Sequence, residues 1–232
     1  MLREVVLLSK NSIQCEKNPL EKILLSLGPI MILGFSKSYV PIILNIIFFV
    51  IIHFKNKHFL NIVIKFSLGT AAFAFISSIT FLLDYGIEAT GLIILKALSG
   101  GLCVAYLALT TPMDDILNFL HNSKWLKDFC DIAKSMERFI LMLEEELIIM
   151  INAVRSRNGF DTFSLKVKNS SKIAGLLFMN TMKRWKDIKD SINSRCYNGN
   201  LNYNSHYHKI KRVNIVLIIM YLTLITFTVI KY

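Results

Sequence analysis

Two short segments of this sequence place an arginine in the same setting. Each closes a long amphipathic run, and the two arginines lie 38 positions apart in one basic region. An arginine at a helix end interacts favourably with the helix dipole, which explains one such residue without a partner. The planar guanidinium also suits a two-point contact with carboxylates, so two similar ends indicate two similar grooves on a paired partner. The candidate docking residues are Ser156, Arg157, Asn158, Ser194, Arg195 and Cys196.

Other residues that could carry chemistry give weaker signals. The sequence contains no P-loop, HExxH or GxSxG pattern, and its 4 cysteines lack the spacing of a disulfide framework or a zinc site. His206 and His208 have no cysteine or acidic residue near them, so a solvated loop explains them better than a metal site. Consecutive residues on a helix point in different directions, so Glu144, Glu145 and Glu146 cannot converge on one substrate. We expect them to pair with basic residues of a neighbouring helix, and we expect no catalytic residue and no metal site.

The composition indicates a membrane protein. Of 232 residues, 53% are hydrophobic, and they are grouped in blocks. In a soluble protein the net charge of +11 would suggest nucleic acid, but no stacking aromatic residues alternate with the basic ones. Positive-inside topology and contact with anionic headgroups explain the charge better. The lipid bilayer is therefore an expected partner, and nucleic acid is not.

The apolar blocks predict the elements that position the two arginines. Residues 1–19 form an interfacial tail, 20–111 hold transmembrane helices 1–4, 112–212 form a cytoplasmic region, and 213–232 form the last transmembrane helix. Segments 20–36 and 40–54 are short for spans, so they form either a helical hairpin or one re-entrant element. Segments 61–83 and 90–110 are full-length spans on either side of an acidic loop at 84–88.

The charge distribution predicts the topology. Residues 112–212 contain 17 Lys or Arg and 11 Asp or Glu, which places them in the cytoplasm. The chain then crosses the membrane five times if the first hairpin crosses fully. Within the fourth span, Lys96 has two open interpretations: it contacts the basic region or a partner subunit, or it extends towards the outer headgroups.

Two long helices are predicted within the cytoplasmic region. Thr111-Pro112-Met113-Asp114 has the residue types of a helix start. Apolar residues then recur at steps of three and four from Ile132 to Ile151, in a run that ends at Gly159. A second run covers 164–195 and is rich in lysine in its second half.

An ordered set of motifs between about residues 90 and 200 resembles the T component of energy-coupling factor transporters, and most closely its cobalt-type CbiQ group. The segments that carry this resemblance are Leu95-Lys96-Ala97-Leu98-Ser99, Leu107-Ala108-Leu109-Thr110-Thr111-Pro112-Met113, Glu137-Arg138-Phe139, Leu143-Glu144-Glu145-Glu146, Ala153-Val154-Arg155-Ser156-Arg157 and Ser194-Arg195-Cys196-Tyr197-Asn198-Gly199. The resemblance implies an all-α membrane protein with about five transmembrane helices and two long cytoplasmic amphipathic coupling helices.

The resemblance also implies the partners. In that family each coupling helix ends in an Ala-Arg-Gly-like triplet, whose arginine docks on one of two ATP-binding cassette subunits (CbiO-like). The T component links these to a substrate-binding membrane S component (CbiM/CbiN-like). Ser156-Arg157-Asn158 and Ser194-Arg195-Cys196 keep the arginine but replace the alanine and the glycine, and Lys96 stands where the family often has arginine. A multi-pass plasma-membrane subunit of this kind is not an enzyme and binds no cofactor directly, because ATP and Mg²⁺ belong to the partner subunits.

Two alternatives stay open. One is a T component of a vitamin-type importer. The other, of a different class, is a membrane-anchored basic protein that binds anionic lipid or another cytosolic partner. Binding of that second kind would follow the number of lysines and arginines, such as Lys183, Lys186 and Lys189, rather than the two arginines at the helix ends.

Overall fold

The computed structural model describes residues 2–10, 12, 18–55, 60–121, 126–196 and 212–231, and in this part of the chain every regular element is an α-helix. The helices are α1 (Leu2–Lys10), α2 (Pro19–Gly34), α3 (Tyr39–Lys55), α4 (Leu60–Ser77), α5 (Ile79–Thr110), α6 (Met113–His121), α7 (Lys127–Arg155), α8 (Phe163–Ser194) and α9 (Arg212–Lys231).

The chain divides into two compact units. The first contains Arg3–Phe119 and Ser205–Tyr232, and the second contains Leu120–Asn204. The first unit holds the apolar helices, and the second holds α7 and α8. The predicted start of a separate region at residue 112 stays a prediction, although α6 begins at Met113 as the sequence indicates.

The all-α membrane fold class is confirmed. Among the described helices, those with the length and composition of a membrane span are Leu60–Ser77, Gly86–Thr110 and Val213–Lys231. Tyr39–Phe54 is a shorter apolar helix. The described helix α1 packs two side chains of the tail, Val5 and Leu8, against the apolar core of the first unit.

Helices α2 and α3 form a hairpin that follows α5 over most of its length. At one end of the hairpin, Lys22 Nζ donates a 2.7 Å hydrogen bond to the Thr110 carbonyl. At the other end, the Tyr39 hydroxyl donates to the Glu88 carbonyl. Thr110 and Glu88 lie near opposite ends of the apolar helix Gly86–Thr110, so the hairpin extends along nearly all of that helix.

The prediction of an acidic loop at 84–88 is wrong. Helix α4 ends at Ser77, and α5 starts at Ile79 and passes through 84–88 with one break at Gly86, where φ is 80° and ψ is −179°. Only glycine adopts such a backbone conformation without strain. The chain therefore changes direction at Gly86 alone, and not in a five-residue loop over 84–88. The Thr90 hydroxyl donates to the Gly86 carbonyl and supports the helix after the break.

Helices α4 and α5 approach each other closely through small residues. A Cβ atom added to Gly101 would lie 2.3 Å from Thr70 Oγ1 and 3.3 Å from the Ser67 Cα atom. Gly101 of α5 and the small residues Ser67 and Thr70 of α4 therefore allow the two helices to pack closely. The core beside this contact consists of Phe49, Val63, Leu102, Cys103, Ala105, Tyr106 and Leu109.

A buried polar cluster joins three helices of the first unit. Asn45 of α3 is fully buried, and its Nδ2 donates to Ser99 Oγ of α5 at 2.7 Å. The Tyr221 hydroxyl of α9 donates to Asn45 Oδ1. The Tyr221 ring also stacks on Phe48, with ring centroids 4.0 Å apart. A polar side chain at this depth is tolerated because its hydrogen bonds are made inside the protein.

Candidate functional site

The end of α7 closes in a defined backbone turn around Arg157. The Asn158 amide donates to the Arg155 carbonyl at 3.1 Å, and the Gly159 amide donates to the Val154 carbonyl at 3.0 Å. This pair of bonds is that of a Schellman motif, whose penultimate residue has a left-handed conformation. Asn158 is that residue, with φ of 52°.

The end of α8 has a similar turn around Arg195, and one of its hydrogen bonds lies within the described residues. The Cys196 amide donates to the Asn193 carbonyl at 3.1 Å, and Cys196 has a φ of 53°. The bond corresponds to the one between Asn158 and Arg155. Residues 197–199, which belong to the last segment that carries the family resemblance, lie outside the described part of the chain.

The serines of the two triplets also have matching roles. Ser156 Oγ donates to the Ala153 carbonyl at 3.0 Å, and Ser194 Oγ donates to the Asp190 carbonyl at 2.8 Å. Each hydroxyl therefore donates to a carbonyl of its own helix. The two triplets thus share one structure: a serine on the helix, an arginine, and a left-handed third residue.

The two arginines are exposed, and among the described residues neither forms an ion pair. Each arginine directly precedes the residue with a left-handed backbone that ends its helix. Five N–H donors in a planar fork can contact a carboxylate at two points, which a lysine cannot do.

Gly159 and Asn169 hold the first helix end against α8. Asn169 Nδ2 donates a 2.7 Å hydrogen bond to the Gly159 carbonyl. A Cβ atom at position 159 would lie 2.5 Å from Val154 Cγ1 and 2.9 Å from Asn169 Nδ2, so the position has room for glycine alone. The Arg157 turn is thereby fixed relative to the start of α8.

Further along, Glu146 joins α7 to α8. Glu146 Oε1 accepts a 2.7 Å hydrogen bond from Asn180 Nδ2, and Arg184 Nε lies 3.4 Å from Glu146 Oε2. Arg184 also donates to Met142 Sδ at 3.3 Å. The predicted pairing of the glutamate run with the neighbouring helix is confirmed for Glu146.

Lys96 makes a contact within its own unit. Its Nζ donates a 3.0 Å hydrogen bond to the Gly34 carbonyl at the end of α2. A cation there is stabilised by the negative end of the helix dipole. The two interpretations of Lys96, contact with the basic region or a partner subunit and extension towards the outer headgroups, both stay predictions.

The cysteines and histidines contribute little to the site. Among the described residues, no cluster of His, Cys, Asp and Glu could hold a metal ion, and Cys103, Cys130 and Cys196 are free. Burial, together with the negative charge of Asp131, raises the pKa of the Cys130 thiol, whereas Cys196 is exposed. His206 and His208 lie outside the described residues.

Sequence reasoning named Asn158, Gly159 and Cys196 but missed the left-handed backbone conformation of Asn158 and Cys196. The asparagine-glycine pair at 158–159 is a turn signal that could have identified the first left-handed residue. Cys196 carries no such signal. Asn169 and Asn180, which join α8 to its partner helix, could not be found because the contact depends on the pairing of two helices.

Comparison with known proteins identifies the family. The family model described as CbiQ, cobalt transport protein, matches residues 22–207. The chain belongs to this family. The match runs from within α2 to beyond α8 and includes both arginine triplets.

Two relatives illustrate the similarity. A protein of Methanocorpusculum labreanum, named as a fused cobalt transport protein CbiMQ, is 29% identical over 113 residues, which are 49% of this chain and 19% of the relative. The chain thus matches about a fifth of that relative's length. An uncharacterised Methanocaldococcus jannaschii protein, MJ1089, is 28% identical over 205 residues, which are 79% of this chain and 76% of the relative. The family match and the membrane-length apolar helices agree that the chain is a membrane protein.

Proposed function

We propose that this CbiQ-family chain is the T component of an energy-coupling factor importer for cobalt. It transmits movement from two ATP-binding cassette subunits to a membrane S component that captures the ion. The observation that carries the proposal is the repeated structure of the two helix ends, each with an exposed arginine before a left-handed residue. Because the ends of α7 and α8 are alike, each can dock one of two similar ATP-binding cassette subunits.

The docking step depends on the guanidinium groups. Arg157 and Arg195 insert into grooves of the two ATP-binding subunits and form paired hydrogen bonds with carboxylates there. The turn around each arginine is held by backbone bonds, so little conformational entropy is lost when the arginine binds. The chain itself hydrolyses no ATP, and ATP and Mg²⁺ are bound by the partner subunits.

Transmission then depends on the pairing of α7 with α8. Closure of the ATP-binding subunits moves the two helix ends, and the Glu146 contacts with Asn180 and Arg184 keep the helices together as they move. In this scheme cobalt is recognised by the S component.

The same proposal includes a multi-pass topology in the plasma membrane. The α2–α3 hairpin makes contacts near both ends of the apolar helix Gly86–Thr110, which favours two full crossings over a re-entrant loop. The basic excess of residues 112–212 favours a cytoplasmic location for the coupling helices.

Cobalt uptake by cells that express the complete importer tests the proposal. We expect the Arg157→Glu/Arg195→Glu variant to remain in the membrane but to lose uptake, because two buried charge contacts are replaced by repulsion. Loss of one such interfacial arginine typically costs about 2–4 kcal/mol.

The control is Lys127→Glu/Lys166→Glu, which makes the same charge change near the starts of α7 and α8, where an acidic residue suits the helix dipole. It is expected to keep uptake. Normal uptake by the arginine variant would contradict the docking role.

A further inference from the structure

Helix α8 has an exposed apolar side that faces away from α7. The side of α8 towards α7 carries Asn180 and Arg184, which contact Glu146, and the buried Ile173. Asn169, which donates to the Gly159 carbonyl just after α7, lies on the same side. On the opposite side, Phe178, Met182 and Trp185 recur at steps of four and three residues, and they are 62%, 50% and 53% exposed. Val167 lies on the same side nearer the start of the helix, with the small residues Ser171 and Ala174 between it and Phe178. A row of large apolar side chains left open to solvent marks an interaction surface.

A row of lysines runs beside the apolar row. It consists of Lys168, Lys172, Lys183 and Lys186, which share one side of the helix and are exposed. Lys189 Nζ lies 5.3 Å from the centre of the Trp185 ring. Helix α8 carries seven basic residues against two acidic ones, whereas α7 carries four basic and six acidic residues. The excess positive charge of the pair is thus concentrated on α8.

The geometry of this surface points to its partner. From Val167 to Lys189 it extends along about 33 Å of helix. A long apolar row bordered by lysines, with a tryptophan beside a lysine, is the pattern of helices that lie in the bilayer interface. Lysine chains can follow the apolar surface while their ammonium groups reach lipid phosphates.

We infer that the outer side of α8 binds the anionic surface of the lipid bilayer. The lysine row contacts lipid phosphate groups, and Phe178, Met182 and Trp185 enter the boundary between headgroups and acyl chains. This contact goes beyond the docking of Arg157 and Arg195 and does not depend on it. It gives α8 a fixed height at the membrane while its end remains available to a cytosolic partner.

Quenching of Trp185 fluorescence by lipids with brominated acyl chains tests the inference. The sequence has 2 tryptophans, so the full-length chain carries Trp125→Phe to leave Trp185 as the single reporter. It is reconstituted in brominated phosphatidylcholine vesicles with or without phosphatidylglycerol. We expect strong quenching only with phosphatidylglycerol, and a loss of quenching as salt rises towards 1 M and shortens the screening length to about 3 Å.

The informative variant is Lys183→Gln/Lys186→Gln. Each lysine near an anionic surface contributes about a fivefold factor in binding, so the pair should weaken the association of α8 with lipid roughly 30-fold. The matched control Lys127→Gln/Lys166→Gln removes the same charge away from the lysine row and should leave quenching unchanged.

Three results would overturn the inference. They are equal quenching in both types of vesicle, no quenching in either, and protection of Trp185 that appears only when the partner subunits are added. The last result would assign the surface to a protein. Cobalt uptake by the arginine variants is a separate measurement, so failure of the lipid contact and failure of the docking role can be told apart.

Discussion

At the scale of the residue, the two arginine triplets differ from the family pattern at their third position, where the backbone has a left-handed conformation. The resemblance associates a glycine with the third position, and the structure has Asn158 and Cys196 there with positive φ. The sequence identifies which six residues form the ends, but it does not show that the third residue is left-handed. That property follows from the hydrogen bonds that close each helix.

Glycine at these positions should stabilise the protein. The left-handed conformation costs most L-residues about 1–2 kcal/mol of stability, and this cost is smaller for asparagine. We therefore expect Cys196→Gly to raise the unfolding free energy by about 1 kcal/mol, and Asn158→Gly by less. Thermal unfolding followed by circular dichroism would record this as a rise of about 2–4 °C for Cys196→Gly.

The neighbouring glycine provides the control. Gly159→Ala should lower the unfolding temperature, because its Cβ atom would lie 2.5 Å from Val154 Cγ1. An unchanged or lower unfolding temperature for Cys196→Gly would show that the left-handed residue is not under strain.

At the scale of the element, the two long helices α7 and α8 follow the periodicity of the sequence closely. The second run was predicted over 164–195, and α8 covers Phe163–Ser194. Periodicity gives the buried side of a helix, but it does not give the partner of each residue. The sequence therefore predicts a glutamate contact between the helices without identifying Glu146 as the one that meets Asn180 and Arg184.

Removal of the Glu146 charge should loosen the helix pair. Glu146 is 15% exposed and Arg184 is 48% exposed, so solvent screens the pair in part. We expect Glu146→Gln to lower the unfolding free energy by about 1 kcal/mol. In a double-mutant cycle with Arg184→Gln, the two changes should be less than additive.

Asp161→Asn is the matched control, because it removes an exposed carboxylate between α7 and α8. It should have little effect. Strict additivity of Glu146→Gln and Arg184→Gln would mean that the two side chains do not interact in solution.

At the scale of the whole molecule, the sequence predicts the helical membrane class and most of the apolar helices. It fails at 84–88, because acidic residues suggest a loop while a single glycine suffices to bend the helix there. It also misses the cluster of Asn45, Ser99 and Tyr221, which consists of polar residues from three separate helices. Such a cluster can be recognised only once the helices are packed.

Loss of the Tyr221 hydroxyl should weaken the first unit. Tyr221→Phe leaves the buried Asn45 Oδ1 without this donor. We expect the unfolding free energy to fall by about 1 kcal/mol. Unfolding of the purified protein by sodium dodecyl sulfate in mixed micelles measures it. Tyr39→Phe removes an exposed hydroxyl that donates to the Glu88 carbonyl, so its effect should be smaller. Equal losses in the two variants would contradict the importance of the buried cluster.

The central claim is that each arginine docks one ATP-binding subunit, and native mass spectrometry of the purified complex tests it most directly. The chain should carry two ATP-binding subunits, the single variants Arg157→Glu and Arg195→Glu should each carry one, and the double variant should carry none. Retention of two subunits by the double variant would contradict the claim.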